Sequence, residues 1–293
     1  MEAQKPTQQA ARPKAQPKTE SNVRGIKNAF LVIVACFIVA VCLFLFFFGS
    51  PTNFDLDEAQ LAAAPASMWF FEGEAHPINI IGTIFMGGII VPVLQTLFLT
   101  VIVLSVERYI ALRSAKGTGS ITKFVANVKS CLAKNDIAAA QELCKKQKGS
   151  VAAVVAATLV RYKEMDENNA LSKEQKITTI QKELEEATAL EMPALQQNLP
   201  IVATMTTLGT LVGLLGTVIG MIKSFQALSA SGAPDSTALS TGISEALVNT
   251  AFGIATGAFA VISYNFYTNK IDNLTYAIDE IGFSIVQTFA ATH

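Results

Sequence analysis

The chain has 293 residues, of which 51% are hydrophobic and only 15% are charged, whereas about 25% of residues are charged in an ordinary soluble domain. This composition indicates a membrane protein, and the formal net charge of −1 gives no support to nucleic-acid binding. Four Cys and two His occur without a CxxC pair, so we expect neither a disulfide framework nor a metal site, and no cofactor.

Four runs of the sequence are apolar enough and long enough to cross a bilayer, whose core of about 30 Å needs roughly 20 helical residues. They cover residues 29–49, 78–106, 199–228 and 243–267. For the first run a cleaved signal peptide is the alternative, because the small residues from Ala62 to Ser67 resemble a processing site. The long polar leader and the length of the apolar run favour a retained helix.

The distribution of cations predicts the orientation, because short loops rich in Lys and Arg stay in the cytoplasm. Residues 1–28 contain six Lys or Arg, residues 49–77 contain none and residues 107–198 contain fourteen. Both termini are therefore predicted to be cytoplasmic. Residues 50–77 form an acidic periplasmic loop in this interpretation, and residues 229–242 form a second periplasmic loop.

The segments outside the membrane differ in their expected structure. Residues 1–22 have almost no large apolar side chain, and we therefore predict that residues 1–28 form a disordered basic tail. Residues 107–198 have a helical composition with a capping box from Ser172 to Gln175, and predict a helical cytoplasmic domain. Residues 268–293 carry an aliphatic stripe that predicts an amphipathic helix continuing from the fourth span. Its members are Ile271, Leu274, Ile278, Ile281 and Ile285.

Small and hydroxylated side chains share one face of the third span. At 100° per residue, Thr210, Gly213, Thr217 and Gly220 lie within about 40° of Thr206. The row either lines a polar interior or pore, or its hydroxyl groups bond to their own helix. Three pairs with GxxxG spacing favour close helix packing: Gly209 and Gly213, Gly216 and Gly220, and Gly253 and Gly257.

Glu245 is the one charge within the four predicted spans when Lys223, at the edge of the third span, is counted as part of the loop that follows. Asn249 and Thr256 lie within about 40° of it on the helix. An ionisable group in a membrane helix costs several kcal/mol unless it is paired or hydrated, and by default it marks an ion or proton pathway. The alternative is that Glu245 reaches headgroup water at the outer end of the span.

Two motifs in the last two spans resemble the signature of the ExbB/TolQ/MotA proton-channel family, with the ExbB branch nearest. They are the run from Gly213 to Phe225 and the run from Gly242 to Gly253, the second followed by Tyr264-Asn265. Glu107-Arg108 and Leu112-Arg113 are similar to the end of the family's first helix. The resemblance is strong over residues 199–270, moderate over 80–113 and absent over 1–77.

The resemblance implies a homopentamer of three-span subunits with a helical cytoplasmic domain, in the bacterial inner membrane. A single-span, ExbD-like partner lies in the central pore. The family's pore residues correspond to Thr217, Glu245 and Thr250, although Thr250 lies about 140° from Glu245. The additional first span and Phe259, which replaces the family's usual Pro, depart from the pattern; the additional span is expected at the periphery, among lipids.

Three functional interpretations follow from these motifs. The first is a proton-driven motor subunit that energises TonB-dependent transport across the outer membrane through a TonB-like protein. The second is a TolQ-like envelope subunit or a MotA-type or gliding motor subunit, which would use the same chemistry with other partners. The third is a membrane scaffold that conducts no ions. No GxxxxGK[ST] motif or Ser/His/Asp constellation occurs, so we expect no enzyme and no catalytic residue.

Overall fold

The computed structural model describes residues 25–26, 28–71, 75–229 and 236–292. The predicted tail lies outside this range apart from Gly25, Ile26 and Asn28. The ten α-helices of the described residues are α1 (Ala29–Cys42), α2 (Glu58–Ala63), α3 (Ile80–Phe85), α4 (Ile90–Lys116), α5 (Ile121–Ala133), α6 (Ile137–Gln147), α7 (Gly149–Glu167), α8 (Lys173–Gln196), α9 (Leu199–Ser229) and α10 (Ser236–Thr292). Two short strands, β1 (Phe54–Asp55) and β2 (His76–Pro77), pair antiparallel.

Among the described residues, four helices are long and apolar enough to cross a membrane: α1 with its π-helical extension Leu43–Phe48, α4, α9 and α10. The predicted fold class, an all-α polytopic membrane protein, is therefore confirmed. α10 has 57 residues, which at 1.5 Å per residue gives a helix of about 85 Å. It extends well past a bilayer core of about 30 Å, so the predicted fourth span and the predicted amphipathic helix form one continuous element.

The structure corrects the prediction of one uninterrupted span over residues 78–106. The chain forms the short helix α3, turns at Gly87 and Gly88, and begins α4 at Ile90. Gly88 has a φ of +72°, a conformation that L side chains avoid and that ends a right-handed helix. The two glycines of this turn therefore interrupt the helix that was predicted over residues 78–106.

A helical bundle forms one end of the molecule. It consists of α5 to α8 packed against the C-terminal half of α10, and the five aliphatic residues of the predicted stripe are buried in its core. The ring of Tyr162 on α7 contacts Phe289 on α10 edge to face, with 4.9 Å between the ring centroids. The long helix α10 thus joins the membrane-spanning part of the chain to the bundle through a continuous apolar core.

A small folded cap, residues 50–71 and 75–79, forms the opposite end of the molecule. Its core contains Phe54 and Met68 and continues into Phe44 of the first span and Phe85 of α3. The rings of Phe44 and Phe85 are stacked with 4.8 Å between their centroids. Asn53 donates from Nδ2 to the carbonyl oxygen of Phe47 at 2.8 Å, which satisfies a backbone acceptor at the end of the first span.

A buried ion pair lies where α4 meets the bundle. Glu107 and Arg108 are neighbours on α4 and pair with each other, and the Arg108 side chain is fully buried. Arg108 also donates from Nη1 to the carbonyl oxygens of Ala194 and Leu195, each at 3.3 Å. These carbonyls end α8, so a cation here both satisfies unpaired acceptors and complements the helix dipole.

Candidate functional site

The helices α9 and α10 pack with their backbones almost in contact. All six glycines predicted to promote packing are buried: Gly209, Gly213, Gly216, Gly220, Gly253 and Gly257. A Cβ atom on Gly253 would lie 2.6 Å from the Gly209 carbonyl oxygen and 2.7 Å from the Gly213 Cα, which is closer than atoms of these types approach. We call this contact the glycine seam.

The polar side chains that α10 directs toward α9 lie in the glycine seam. Asn249 is fully buried, and a Cβ on Gly216 would overlap its side chain. Its Nδ2 donates to the Gly87 carbonyl oxygen at 3.0 Å. Thr256 is also buried, lies against Gly209 and donates its hydroxyl to the Phe252 carbonyl oxygen at 2.8 Å. The seam therefore brings two of the predicted site residues together with the turn between α3 and α4.

Glu245 lies in the same seam and forms an ion pair. Lys223 on α9 donates from Nζ to both carboxylate oxygens, at 2.7 Å and 2.8 Å. The Glu245 side chain is 5% exposed and the Lys223 side chain is 50% exposed. A carboxylate removed from water needs a compensating charge, and Lys223 supplies it.

The sequence reasoning treated Lys223 as a loop residue and missed this pair. A signal was present, because Gly209, Gly216 and Lys223 are spaced by seven residues and therefore lie within about 40° of one another on a helix. α9 continues beyond Lys223 to Ser229. The lysine thus extends the glycine face toward the C-terminal end of α9, directly opposite Glu245.

Gly88 completes the surroundings of the carboxylate. A Cβ on Gly88 would lie 2.5 Å from Glu245 Oε1 and 3.7 Å from Lys223 Nζ. The turn between α3 and α4 therefore presents bare backbone to the ion pair. Three separate parts of the chain meet here: the start of α10, the end of α9 and the Gly87-Gly88 turn.

The other three predicted hydroxyl residues do not contact Glu245. Thr217 is half-buried and donates to the Leu214 carbonyl oxygen at 2.6 Å. Thr250 is half-buried and donates to the Ala246 carbonyl oxygen at 3.1 Å. Thr210 is exposed and donates to the Thr206 carbonyl oxygen, and its hydroxyl lies at the edge of the glycine seam, where a Cβ on Gly257 would approach it to 2.8 Å. Each hydroxyl bonds to its own helix, so a pathway that included them would require surfaces beyond the single chain.

A cavity of about 390 Å³ lies between the cap and the adjacent ends of α9 and α10. Its walls include Lys223 and Glu245 from the helices and His76 from β2. On the cap side, the ion pair therefore faces a space large enough to hold several water molecules. On the opposite side, the glycine seam leaves no such space.

The part of the chain that contains the ion pair and the glycine seam is similar to a known protein family. Residues 151–280 match the MotA/TolQ/ExbB proton channel family, and this segment contains nearly all of α7, all of α8 and α9, and most of α10. The family resemblance of the two motifs is confirmed. The segment includes both residues of the ion pair, whereas the cap, α1 and α4 lie outside the match.

Relatives in the proton channel family carry both ExbB and TolQ names. The putative biopolymer transport protein ExbB-like 3 of Synechocystis is 38% identical over 93 residues, 30% of this chain and 44% of the relative. The Tol-Pal system protein TolQ of Haemophilus influenzae is 36% identical over 26% of this chain and 33% of the relative. The biopolymer transport protein ExbB of Xanthomonas campestris is 28% identical over 38% of this chain and 44% of the relative. The matches thus span less than half of each relative.

Proposed function

We propose that this chain is the proton-conducting subunit of an inner-membrane complex that uses the proton motive force to energise TonB-dependent transport across the outer membrane. The observation that carries the proposal is Glu245, a buried carboxylate in a membrane-spanning helix within the segment that matches a proton channel family. A carboxylate that binds and releases one proton at this depth is the chemical group that proton translocation requires.

The energy available from such transfer is sufficient for mechanical work. Moving one elementary charge across 100 mV releases about 2.3 kcal/mol, so a few protons per cycle drive a conformational change in a partner. In this proposal the bundle is cytoplasmic and the cap is extracytoplasmic, which agrees with the fourteen cations of residues 107–198. Both termini then lie in the cytoplasm.

Other chains complete the proposed pathway. Thr217 and Thr250 line the pore in a homopentamer, and a single-span, ExbD-like protein occupies its centre. The exposed face of α9 supports such an assembly, because it presents a row of large apolar side chains beside Thr210 and Thr217. This row comprises Leu208, Leu211, Leu215, Val218 and Ile222. A TonB-like protein is the final partner.

Two observations favour second candidates. TolQ relatives from Haemophilus influenzae and Pseudomonas aeruginosa match at 36% and 35% identity, which supports an envelope-integrity subunit with the same proton chemistry. The Lys223–Glu245 pair itself supports a scaffold without conduction, because a neutralised carboxylate needs no proton pathway. The MotA-type and gliding motors share the chemistry of the first proposal.

Substitution of Glu245 by Gln separates conduction from scaffolding. The amide keeps the size and hydrogen-bonding capacity of the side chain but exchanges no proton, so energy-dependent uptake of a siderophore or vitamin B12 falls to the level of a deletion strain. Glu185→Gln, an exposed carboxylate on α8, is the matched control and leaves uptake unchanged. Normal uptake with Glu245→Gln would leave the scaffold as the better description.

The choice between the ExbB and TolQ branches depends on the partners. Purification of the complex through this chain, followed by mass spectrometry, identifies the single-span protein and the protein that reaches the outer membrane. A TonB-like protein supports the first proposal, whereas Tol-Pal components would assign the chain to envelope integrity. Neighbouring reading frames for the same proteins provide an independent indication.

A further inference from the structure

The two members of the ion pair both line the cavity beneath the cap but differ in exposure. The Lys223 side chain is half exposed, whereas the Glu245 side chain is 5% exposed. A Cβ on Gly88 would lie 2.5 Å from Glu245 Oε1, so backbone packs closely against the carboxylate. The ammonium group therefore covers a carboxylate that has little other access to solvent.

His76 is the third titratable group on the described walls of the cavity, and it comes from the cap strand β2. The remaining described wall is formed by apolar and hydroxyl side chains of the cap and the helix ends. These include Phe54, Met68, Ala227 and Thr241. The cavity thus combines contributions from the cap, α3, α9 and α10, and the cap belongs to the N-terminal region that the family match does not cover.

We propose that this cavity is the extracytoplasmic inlet of the proton pathway and that Lys223 is its gate. The inference rests on the proposed function and on the orientation given with it. In the closed state the Lys223 ammonium donates hydrogen bonds to both carboxylate oxygens of Glu245. In the open state it swings into the cavity and remains protonated, and a hydronium ion there transfers its proton to Glu245 and leaves as water.

The properties of lysine fit this role. Its ammonium is a compact charge on a flexible four-carbon stem, so Lys223 can exchange its contact with Glu245 for water in the cavity without moving α9. In the closed state its positive charge, held directly on the carboxylate, also repels an approaching hydronium ion, as fixed charges do in other selective pores. Lys223 is accordingly a positioning residue that controls access to Glu245.

The first experiment measures proton leak through the complex purified with this chain and reconstituted in proteoliposomes. Lys223→Gln keeps hydrogen-bond donors but removes the charge, and the leak rises roughly tenfold, the factor that corresponds to about 1.4 kcal/mol of lost pairing. Lys223→Arg keeps the charge and the low leak. Lys270→Met removes a cation from the bundle-side part of α10, over Phe266, and leaves the leak unchanged.

The double variant Lys223→Gln with Glu245→Gln distinguishes the gate from the pathway. Its leak falls to the level of protein-free liposomes, because the opened inlet leads to no proton acceptor. An unchanged or reduced leak in folded Lys223→Gln, with Glu245→Gln still inactive, would overturn the gate and leave the proposed function intact. Proton flux through Glu245→Gln equal to that of the unmodified complex would instead overturn the proposed function.

The second experiment tests the inlet without disturbing the ion pair. In full-length protein whose four native cysteines are replaced by alanine, Ala227→Cys places a thiol in the cavity and Leu228→Cys places one on the neighbouring exposed face. A membrane-impermeant methanethiosulfonate added from the outer side reduces the proton flux of Ala227→Cys several-fold and leaves the proton flux of Leu228→Cys unchanged. Absence of modification at Ala227→Cys, or modification without block, would overturn the inlet.

Discussion

The surroundings of Glu245 show how one carboxylate is accommodated among four apolar helices. An isolated charge in a membrane helix costs several kcal/mol, and each neighbour reduces this cost differently. Lys223 provides the opposite charge at 2.7 Å and 2.8 Å, and Gly88 provides space. Asn249 lies four residues after Glu245 on α10 and donates to the Gly87 carbonyl oxygen. This hydrogen bond holds the Gly87-Gly88 turn in place. A single substitution here therefore has consequences beyond the side chain that it removes.

Gly88→Ala is predicted to destabilise the protein and to abolish proton flux. The residue has a φ of +72°, and its added Cβ would lie 2.5 Å from Glu245 Oε1. Left-handed backbone costs an L residue about 1–2 kcal/mol, and the overlap adds to that cost. Thermal unfolding in detergent measures the stability, and reconstituted proton flux measures the function.

Gly119→Ala is the control for the strain alone. Gly119 has a φ of +104°, but the nearest atom to its added Cβ is Gln147 Oε1 at 3.6 Å, an ordinary contact. It is expected to lose about 1–2 kcal/mol of stability and to keep its proton flux. Equal losses of stability and unchanged flux in both variants would show that Gly88 provides backbone freedom and no space for the ion pair.

The contact between α9 and α10 depends on small residues because lipid offers no hydrophobic driving force for helix association. Close approach of the two backbones replaces it with dispersion contacts. Gly253 faces the backbone of Gly209 and Gly213, which cannot rotate away as a side chain would. The glycine seam also holds Asn249 and Thr256 in place, so helix packing and the position of the polar residues are coupled.

Gly253→Val is predicted to separate α9 from α10 and to destabilise the protein by at least about 1–3 kcal/mol, the usual cost of overpacking. Ala251→Val, on the exposed face of the same helix, introduces the same side chain and is expected to be nearly neutral. Unfolding in mixed detergent micelles compares the two. Similar stability of both variants would indicate that the helices adjust their separation without cost.

The elements that the sequence predicts well are those with local signals. The capping box from Ser172 to Gln175 forms as expected, and the aliphatic stripe of the last helix lies in the bundle core. Four long apolar runs correspond to four helices. In each case the deciding interactions are within a few residues along the chain or follow directly from hydrophobicity.

The features that the sequence did not predict depend on contacts between distant segments. Lys223 and Glu245 are 22 residues apart, and Gly88 reaches the same point from the turn between α3 and α4. The described part of the acidic loop predicted for residues 50–77 folds into a cap, because Phe54 and Met68 pack in one core with Phe44 and Phe85. A polar composition with scattered aromatic residues does not reveal such a core until the helix ends are placed around it.

At the scale of the whole molecule, the additional N-terminal segment is attached at both ends. On the bundle side, the Ile26 amide donates to Glu107 Oε1 at 3.0 Å, and Asn198 Nδ2 donates to the Ile26 carbonyl oxygen at 3.1 Å. Within the membrane, Val32 and Cys36 pack against α4. On the cap side, Phe44 belongs to the cap core. The segment therefore connects the buried Glu107–Arg108 pair with the cap.

Deletion of residues 1–50 is predicted to preserve the proposed homopentamer and to unfold the cap. The glycine seam and the bundle core contain no described residue from this segment, so the fold of the family-like part of each subunit is retained, whereas the cap loses Phe44 from its core. Native mass spectrometry is expected to give the same subunit number as the full chain, and limited proteolysis is expected to cut near Trp69.

A variant with Phe44→Ala in the full chain separates the two effects, because it weakens the cap and keeps the first span. Loss of the oligomer on deletion would show that α1 takes part in contacts between subunits, and a protease-resistant cap would show that the cap folds without Phe44.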